Sequence, residues 1–162
     1  MHDSNDINYY FISLGCAKNQ VDAEKTNGAL IEAGFNPVDS SDEAQIIIIN
    51  TCGFITSAKE ESIETIFNAI NAEYPIENAD FKKKIVVTGC LSKRYMEDLK
   101  NDIPEIDFVY GLLDENFVYE LSKTVQIEPT SHTFGKQKHI VNHASYSYIK
   151  ISEGCSNNCS YC

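Results

Sequence analysis

Hydrophobic positions along the chain switch repeatedly between two periods. Residues 9–14 form an apolar and aromatic run ending at Gly15, the pattern of a strand. Residues 15–20 read as a loop, and a helix is predicted over 21–33 with Gly34 as its C-terminal stop. Residues 35–38 read as a short second strand. Ile46, Ile47, Ile48 and Ile49 then follow without a break. Such a run, lacking alternation, suits a strand buried on both faces of a parallel sheet, here over 45–50. A helix is predicted over 57–73, because Ile63, Ile66, Phe67 and Ile70 repeat at helical spacing. Ser57 is its expected N-cap, with Glu60 and Glu61 favouring the positive end of the helix dipole. Pro75 marks the end of that region. A strand over 84–88, a helix over 92–102 carrying Tyr95, Leu99 and Ile103, and a short strand over 108–110 come next. A last helix carries Phe117, Val118 and Leu121, with Asp114 as its cap.

Strands alternating with helices predict an α/β fold: an open, mostly parallel sheet with helices on both faces, over residues 1–125. Residues 126–145 change character, with Pro129, Ser131, His132 and Gly135 and no clear period, and read as a linker. From Tyr146 to Ile151 apolar and polar residues alternate, the pattern of a first strand of a second domain over 146–162. Seventeen residues cannot build a domain, so the chain is expected to be a fragment of a longer protein. A complete barrel would need on the order of 200 more residues.

Composition narrows the classes. Hydrophobic residues at 43% and charged residues at 23% describe a soluble globular chain. The longest apolar run, the four isoleucines, is far too short to span a bilayer. The N-terminus is polar and acidic, unlike a signal or transit peptide. A cytoplasmic location is therefore expected, where thiols stay reduced and clustered cysteines more often mean metal or catalysis than disulfides. A net charge of −11 argues against nucleic-acid binding by these residues and leaves room for a basic protein partner. The one basic run, Lys82-Lys83-Lys84, reads as the solvated lead-in to a strand.

The six cysteines carry the chemistry. Cys155, Cys159 and Cys162 stand in the spacing C-x3-C-x2-C after the strand-like stretch. Thiolates that close together can face one inorganic centre, and three ligands leave a metal position open for a substrate. An unrelated cysteine-rich tail or part of a zinc ribbon is the plainer alternative. Tyr161 stands between the last two cysteines, where a ring could lie against a planar ligand or simply pack. Cys16, Cys52 and Cys90 each follow a predicted strand, beside Gly15, Gly53 and Gly89. In a parallel sheet those strand ends share one edge, so three distant cysteines become neighbours. Singly, each would be an ordinary buried cysteine. A zinc site would need a fourth ligand, with Asp22 or Glu24 as the nearby candidates. Three thiolates suit a 4Fe–4S cluster with one unligated iron better. His2, His132, His139 and His143 lie in the tail and linker and read as solvated.

The C-terminal motif resembles the cluster loop of the radical S-adenosylmethionine enzymes. SLGCAKNQVDAE at 13–24, NTCGFITSAKEES at 50–62 and VTGCLSKRY at 87–95 resemble the methylthiotransferase N-terminal domain. The wording is similar to the RimO branch, which modifies an aspartate of small-subunit ribosomal protein twelve. The tRNA-modifying branch departs around the first two cysteines, with glutamine and methionine after the first and serine after the second; here stand Ala17, Lys18 and Gly53. The resemblance implies a fold of one methylthiotransferase N-terminal domain followed by the first strand and cluster loop of a truncated radical-SAM barrel. It implies two 4Fe–4S clusters and S-adenosyl-L-methionine as cofactors. Cys155, Cys159 and Cys162 would hold the cluster that chelates S-adenosylmethionine and yields a 5′-deoxyadenosyl radical, with Tyr161 near the adenine. Cys16, Cys52 and Cys90 would hold the cluster carrying the sulfur. Asn19 and Asn50 would shape that pocket or serve as turn residues. No catalytic side chain is assigned. The implied partners are a ribosomal protein substrate and a reductase that donates electrons, with no membrane. The expected activity is methylthiolation of an aspartate β-carbon, which the fragment alone would not turn over. A tRNA adenosine methylthiotransferase, an iron–sulfur carrier module and a zinc-stabilised interaction domain stand as alternatives.

Overall fold

The computed structural model describes residues 7–72, 83–126, 146–152, 156 and 157. Five strands form one sheet: β1 (Ile7–Ser13), β2 (Phe35–Pro37), β3 (Ile46–Thr51), β4 (Lys84–Gly89) and β5 (Phe108–Val109). All neighbours are parallel, in the order β2-β1-β3-β4-β5. Between them run α1 (Ala17–Glu32), a 3-10 turn (Ser41–Glu43), α2 (Thr56–Asn71), α3 (Cys90–Arg94), α4 (Met96–Asp102) and finally α5 (Phe117–Val125). This is the doubly wound α/β arrangement expected from the alternation of elements.

The isoleucine run explains why the sheet is covered on both sides. All four isoleucines are fully buried. Ile46 and Ile48 point into the core made by Ala29 and Leu30 of α1 with Phe117 and Leu121 of α5. Ile47 and Ile49 point the other way, against Ile66 and Ala69 of α2 and Leu99 of α4. Successive strand residues face opposite sides, so a strand without polar alternation must have two apolar neighbours. After β1 the chain crosses to β2 on one side and then to β3 on the other. The β1–β3 boundary is thus the switch point of the sheet, where strand ends open a crevice.

Several local expectations change. The stretch 15–20 is only partly loop: α1 starts at Ala17, with Cys16 at its N-cap in extended backbone. Polar Lys18, Asn19 and Gln20 suggested a turn, but Asn19 faces inward and is buried. Ser57 is not the cap of α2; the helix begins at Thr56 after Ile55, so Glu60 and Glu61 fall beyond its first turn. In the predicted apolar stripe of α2, Ile66 is buried while Phe67 is 44% exposed, at the rim of the sheet contact. The helix predicted over 92–102 is two helices, α3 and α4, broken at Tyr95 (φ −123°, ψ 35°). The Tyr95 hydroxyl there accepts a hydrogen bond from Lys59 Nζ on α2 at 3.0 Å. Asp114 is not the N-cap of α5, which is Asn116 without a side-chain cap bond; its Oδ1 accepts the Asn116 N–H at 2.9 Å in the turn that leads into the helix. Residues 146–152 form no strand, since no described strand lies beside them to complete a ladder. No helix among the described residues is long and apolar enough to cross a membrane.

Candidate metal centre

Cys16, Cys52 and Cys90 follow β1, β3 and β4, three adjacent strands. The register sets Ser13, Asn50 and Thr88 abreast, so the three cysteines leave the sheet at nearly one level. Cys16 is exposed at the cap of α1, Cys52 is buried in the loop before α2, and Cys90 opens α3 half-buried. All three are free thiols.

The segments that carry them touch. Gly15 adopts φ +92°, a conformation that L side chains rarely take. A Cβ at Gly15 would stand 2.6 Å from Cys52 Cβ and 3.0 Å from Cys52 Sγ. The first and second cysteine loops are therefore in contact through a space that only glycine leaves open. The second loop also meets the third, since the Cβ position of Gly53 lies 2.8 Å from Leu91 Cα.

Asn19 ties the three together. Its Nδ2 donates to Leu14 O at 2.9 Å and to Thr51 O at 3.1 Å. Those two carbonyls need donors, which fixes the amide orientation and turns Oδ1 toward Cys90, whose Sγ lies 3.8 Å away. The backbone oxygen of Asn19 accepts from Asn50 Nδ2 at 3.1 Å. Sequence reasoning named Asn19 and Asn50 as pocket-shaping or turn residues, and the geometry gives them buried bridging roles. It missed Ser62, a fully buried α2 residue whose hydroxyl accepts the Cys52 N–H at 3.1 Å and donates to Cys52 O at 3.0 Å. It also missed Thr51, whose Oγ1 donates to Thr88 O at 2.6 Å. The signal for Ser62 lay in its place ten residues after Cys52, on the first turns of an amphipathic helix.

Both proposed fourth ligands of a zinc site are engaged elsewhere. The Asp22 oxygens take Lys150 Nζ at 2.9 and 2.8 Å. Glu24 is buried, its Oε1 accepting from Gln20 Nε2 at 3.2 Å. Among the described residues no three His, Cys, Asp or Glu side chains stand close enough to grip a single metal ion. Thiolates around an iron–sulfur cluster bind separate irons and need not share one ion's shell. Three thiols on abutting loops, beside a glycine that keeps their space open, fit such a cluster. Cys155, Cys159, Cys162 and Tyr161 lie outside the described residues, as does most of the predicted linker.

The family described as Uncharacterized protein family UPF0004 matches residues 8–111. The chain belongs to that family. The UPF0004 region contains Cys16, Cys52 and Cys90 together with Asn19, Asn50 and Ser62. Beyond it, the chain is 43% identical to the ribosomal protein uS12 methylthiotransferase RimO of Caldicellulosiruptor saccharolyticus, over 94% of this chain and 36% of that protein. It is 42% identical to the protein of the same name from Clostridioides difficile, over 93% of this chain and 35% of that protein. A third, from a Sulfurihydrogenibium species, is 43% identical over 94% of this chain and 33% of that protein. The chain thus spans about a third of the length of these curated relatives.

Proposed function

We propose that this chain carries the cluster-binding part of a radical methylthiotransferase that modifies an aspartate of a small-subunit ribosomal protein. The observation that carries this reading is the meeting of three cysteine loops at one sheet edge around Asn19. Names alone would give the same activity to any relative; the meeting loops tie it to particular residues.

Cys16, Cys52 and Cys90 would hold one 4Fe–4S cluster, and Cys155, Cys159 and Cys162 a second, with Tyr161 beside the adenine of S-adenosyl-L-methionine. When bound, these groups would supply reductive cleavage of S-adenosylmethionine and the sulfur that enters the product. The chain's own residues do the holding. Ser62 fixes the Cys52 backbone from both its N–H and its C=O, so that side chain enters the site from a rigid loop. Asn19 keeps the ends of β1 and β3 at a set distance. Gly15 leaves the space in which Cys52 Sγ sits. Preorganisation of this kind keeps thiolates in place before the metal arrives, which lowers the cost of binding it.

The choice of the protein-modifying branch is supported by Gly53. A side chain there would collide with the backbone of Leu91 and Cys90 at 2.8–3.2 Å, and the tRNA-modifying branch carries serine at this place. The proposed setting is the cytoplasm, with a reductase as electron donor and a ribosomal protein as substrate.

Two experiments test the reading. Anaerobic reconstitution with iron and sulfide is expected to give a brown chain, and Cys52→Ser to lose the iron of the N-terminal site. Retention of full iron by the variant sinks the ligand set. Mass spectrometry of ribosomal proteins and tRNA from cells lacking the gene is expected to show one aspartate without its methylthio group. A tRNA change with intact ribosomal proteins sinks the substrate.

A further inference from the structure

The segment 146–152 rests against the cysteine edge in an unusual way. Tyr146, Tyr148, Ile149 and Ile151 are all exposed, Ile149 at 82% and Ile151 at 93%. Apolar burial therefore does not seat this segment. Lys150 is the residue of the segment that is not exposed. Its ammonium meets both oxygens of Asp22, and the two side chains are each only 16% exposed. The partners are 128 residues apart in sequence.

Asp22 lies on α1, less than two turns from Cys16. Tyr148, two residues before Lys150, lines a cavity of about 450 Å³ together with Gly15, Cys16 and Gln20. Cys155 comes five positions after Lys150, and that much chain spans at most about 18 Å. A fixed Lys150 thus limits how far from α1 the second cysteine motif can stand.

We propose that the Asp22–Lys150 ion pair is a clasp that seats residues 146–152 on α1 beside Cys16, and that both residues position one cysteine motif against the other. The contact stands by itself; its importance for catalysis rests on the two-cluster reading. A pair this sheltered suffers little screening by salt. Charges removed from water are costly unless matched, so the pair specifies one seating more than it adds net stability. Removing the Asp22 carboxylate takes away the ion pair that ties Lys150 to α1, which loosens the segment.

Trypsin reads the clasp directly, because it must take the Lys150 side chain into its own pocket. The test uses the full 162-residue chain without metal, so its result does not depend on iron binding. Cleavage after Lys150 and after Lys84, the first residue of β4 and the ion-pair partner of Asp107, is followed by peptide mass spectrometry. Asp22→Asn is expected to speed cleavage at Lys150 about tenfold, between the effects of exposed and buried pairs, with Lys84 unchanged. Asp22→Glu, which keeps the charge, is expected to restore most of the protection. Equal cleavage at Lys150 in wild type and Asp22→Asn overturns the proposal. So does a parallel rise at Lys84, which would make Asp22 a residue of general stability. Loss of iron binding with the clasp intact would overturn the cluster reading alone.

Discussion

Gly15→Ala is the sharpest probe of the cysteine edge. The glycine sits at φ +92°, and an L residue held in such a conformation costs on the order of 1–3 kcal/mol. Its new Cβ would fall 2.6 Å from Cys52 Cβ, 3.0 Å from Cys52 Sγ and 3.3 Å from Asn19 Nδ2. Cys52 cannot simply swing aside, since it is 8% exposed and Ser62 holds its backbone on both sides. Overpacking of this kind costs about 1–3 kcal/mol more. The sum, about 2–6 kcal/mol, stands against a domain stability of roughly 5–15 kcal/mol, so the milder half of that range leaves the variant folded.

Urea unfolding followed by far-ultraviolet circular dichroism measures the first part. With a slope of about 2 kcal/mol per molar urea, the midpoint should drop by about 1–3 M and the slope should stay the same. Iron bound after anaerobic reconstitution, without urea, measures the second. The displaced Cys52 should leave the folded variant with most of its N-terminal iron missing. A midpoint within about 0.3 M of wild type, together with a full iron load, would refute the claim that the Gly15–Cys52 approach shapes the site.

Other substitutions and pH test the supports around it. Asn19→Ala leaves Leu14 O and Thr51 O without their donor and should cost about 2–4 kcal/mol in urea unfolding. Asn19→Asp should be no milder, because it turns an anion toward the same two carbonyls. At the far end of β4, Asp107 accepts from Lys84 Nζ at 2.8 Å and from the Ile85 N–H at 2.9 Å. Asp107→Asn keeps an acceptor and should cost about 1 kcal/mol, while Asp107→Ala loses both bonds and should cost about twice that by the same assay. Burial raises Tyr9 well above the usual tyrosine value, and burial followed by the Asp114 hydrogen bond raises Tyr110. Their contribution to stability is complete below the unfolded value of about 10 and is lost as pH climbs beyond it. Tyrosinate absorbance in an alkaline titration should show Tyr9 ionising only with unfolding, and Tyr9→Phe should flatten the loss above that pH.

The fold was legible because its strongest signals are hydrophobic. Four consecutive isoleucines require apolar cover on both faces, and α1 with α5 and α2 with α4 provide it. What misled was polarity near element ends. Lys18, Asn19 and Gln20 have the composition of a turn, yet they open a helix, because the buried bonds of Asn19 are made to chain distant in sequence. Ser57 and Glu60 formed a cap pattern that the chain does not use, since α2 starts before them. The Tyr95 break could not be read from spacing, because Leu99 and Ile103 keep their four-residue rhythm across it.

The site divides along the same line. A glycine next to a cysteine at three strand ends is a local pattern, and parallel topology turns it into a neighbourhood without further information. The bonds that stiffen the neighbourhood are long-range: Asn19 to Thr51, Asn50 to Asn19, Ser62 to Cys52 and Asp22 to Lys150. Each is made by a short polar side chain or a charge that would be ordinary on a surface. Their burial is the informative fact. A buried polar group is tolerated only when its partners are in place, so each of these residues fixes a geometry as well as filling a space. Such bonds hold the loops of Cys16, Cys52 and Cys90 as one unit, which is what three ligands from separate strands need if they are to meet a single centre.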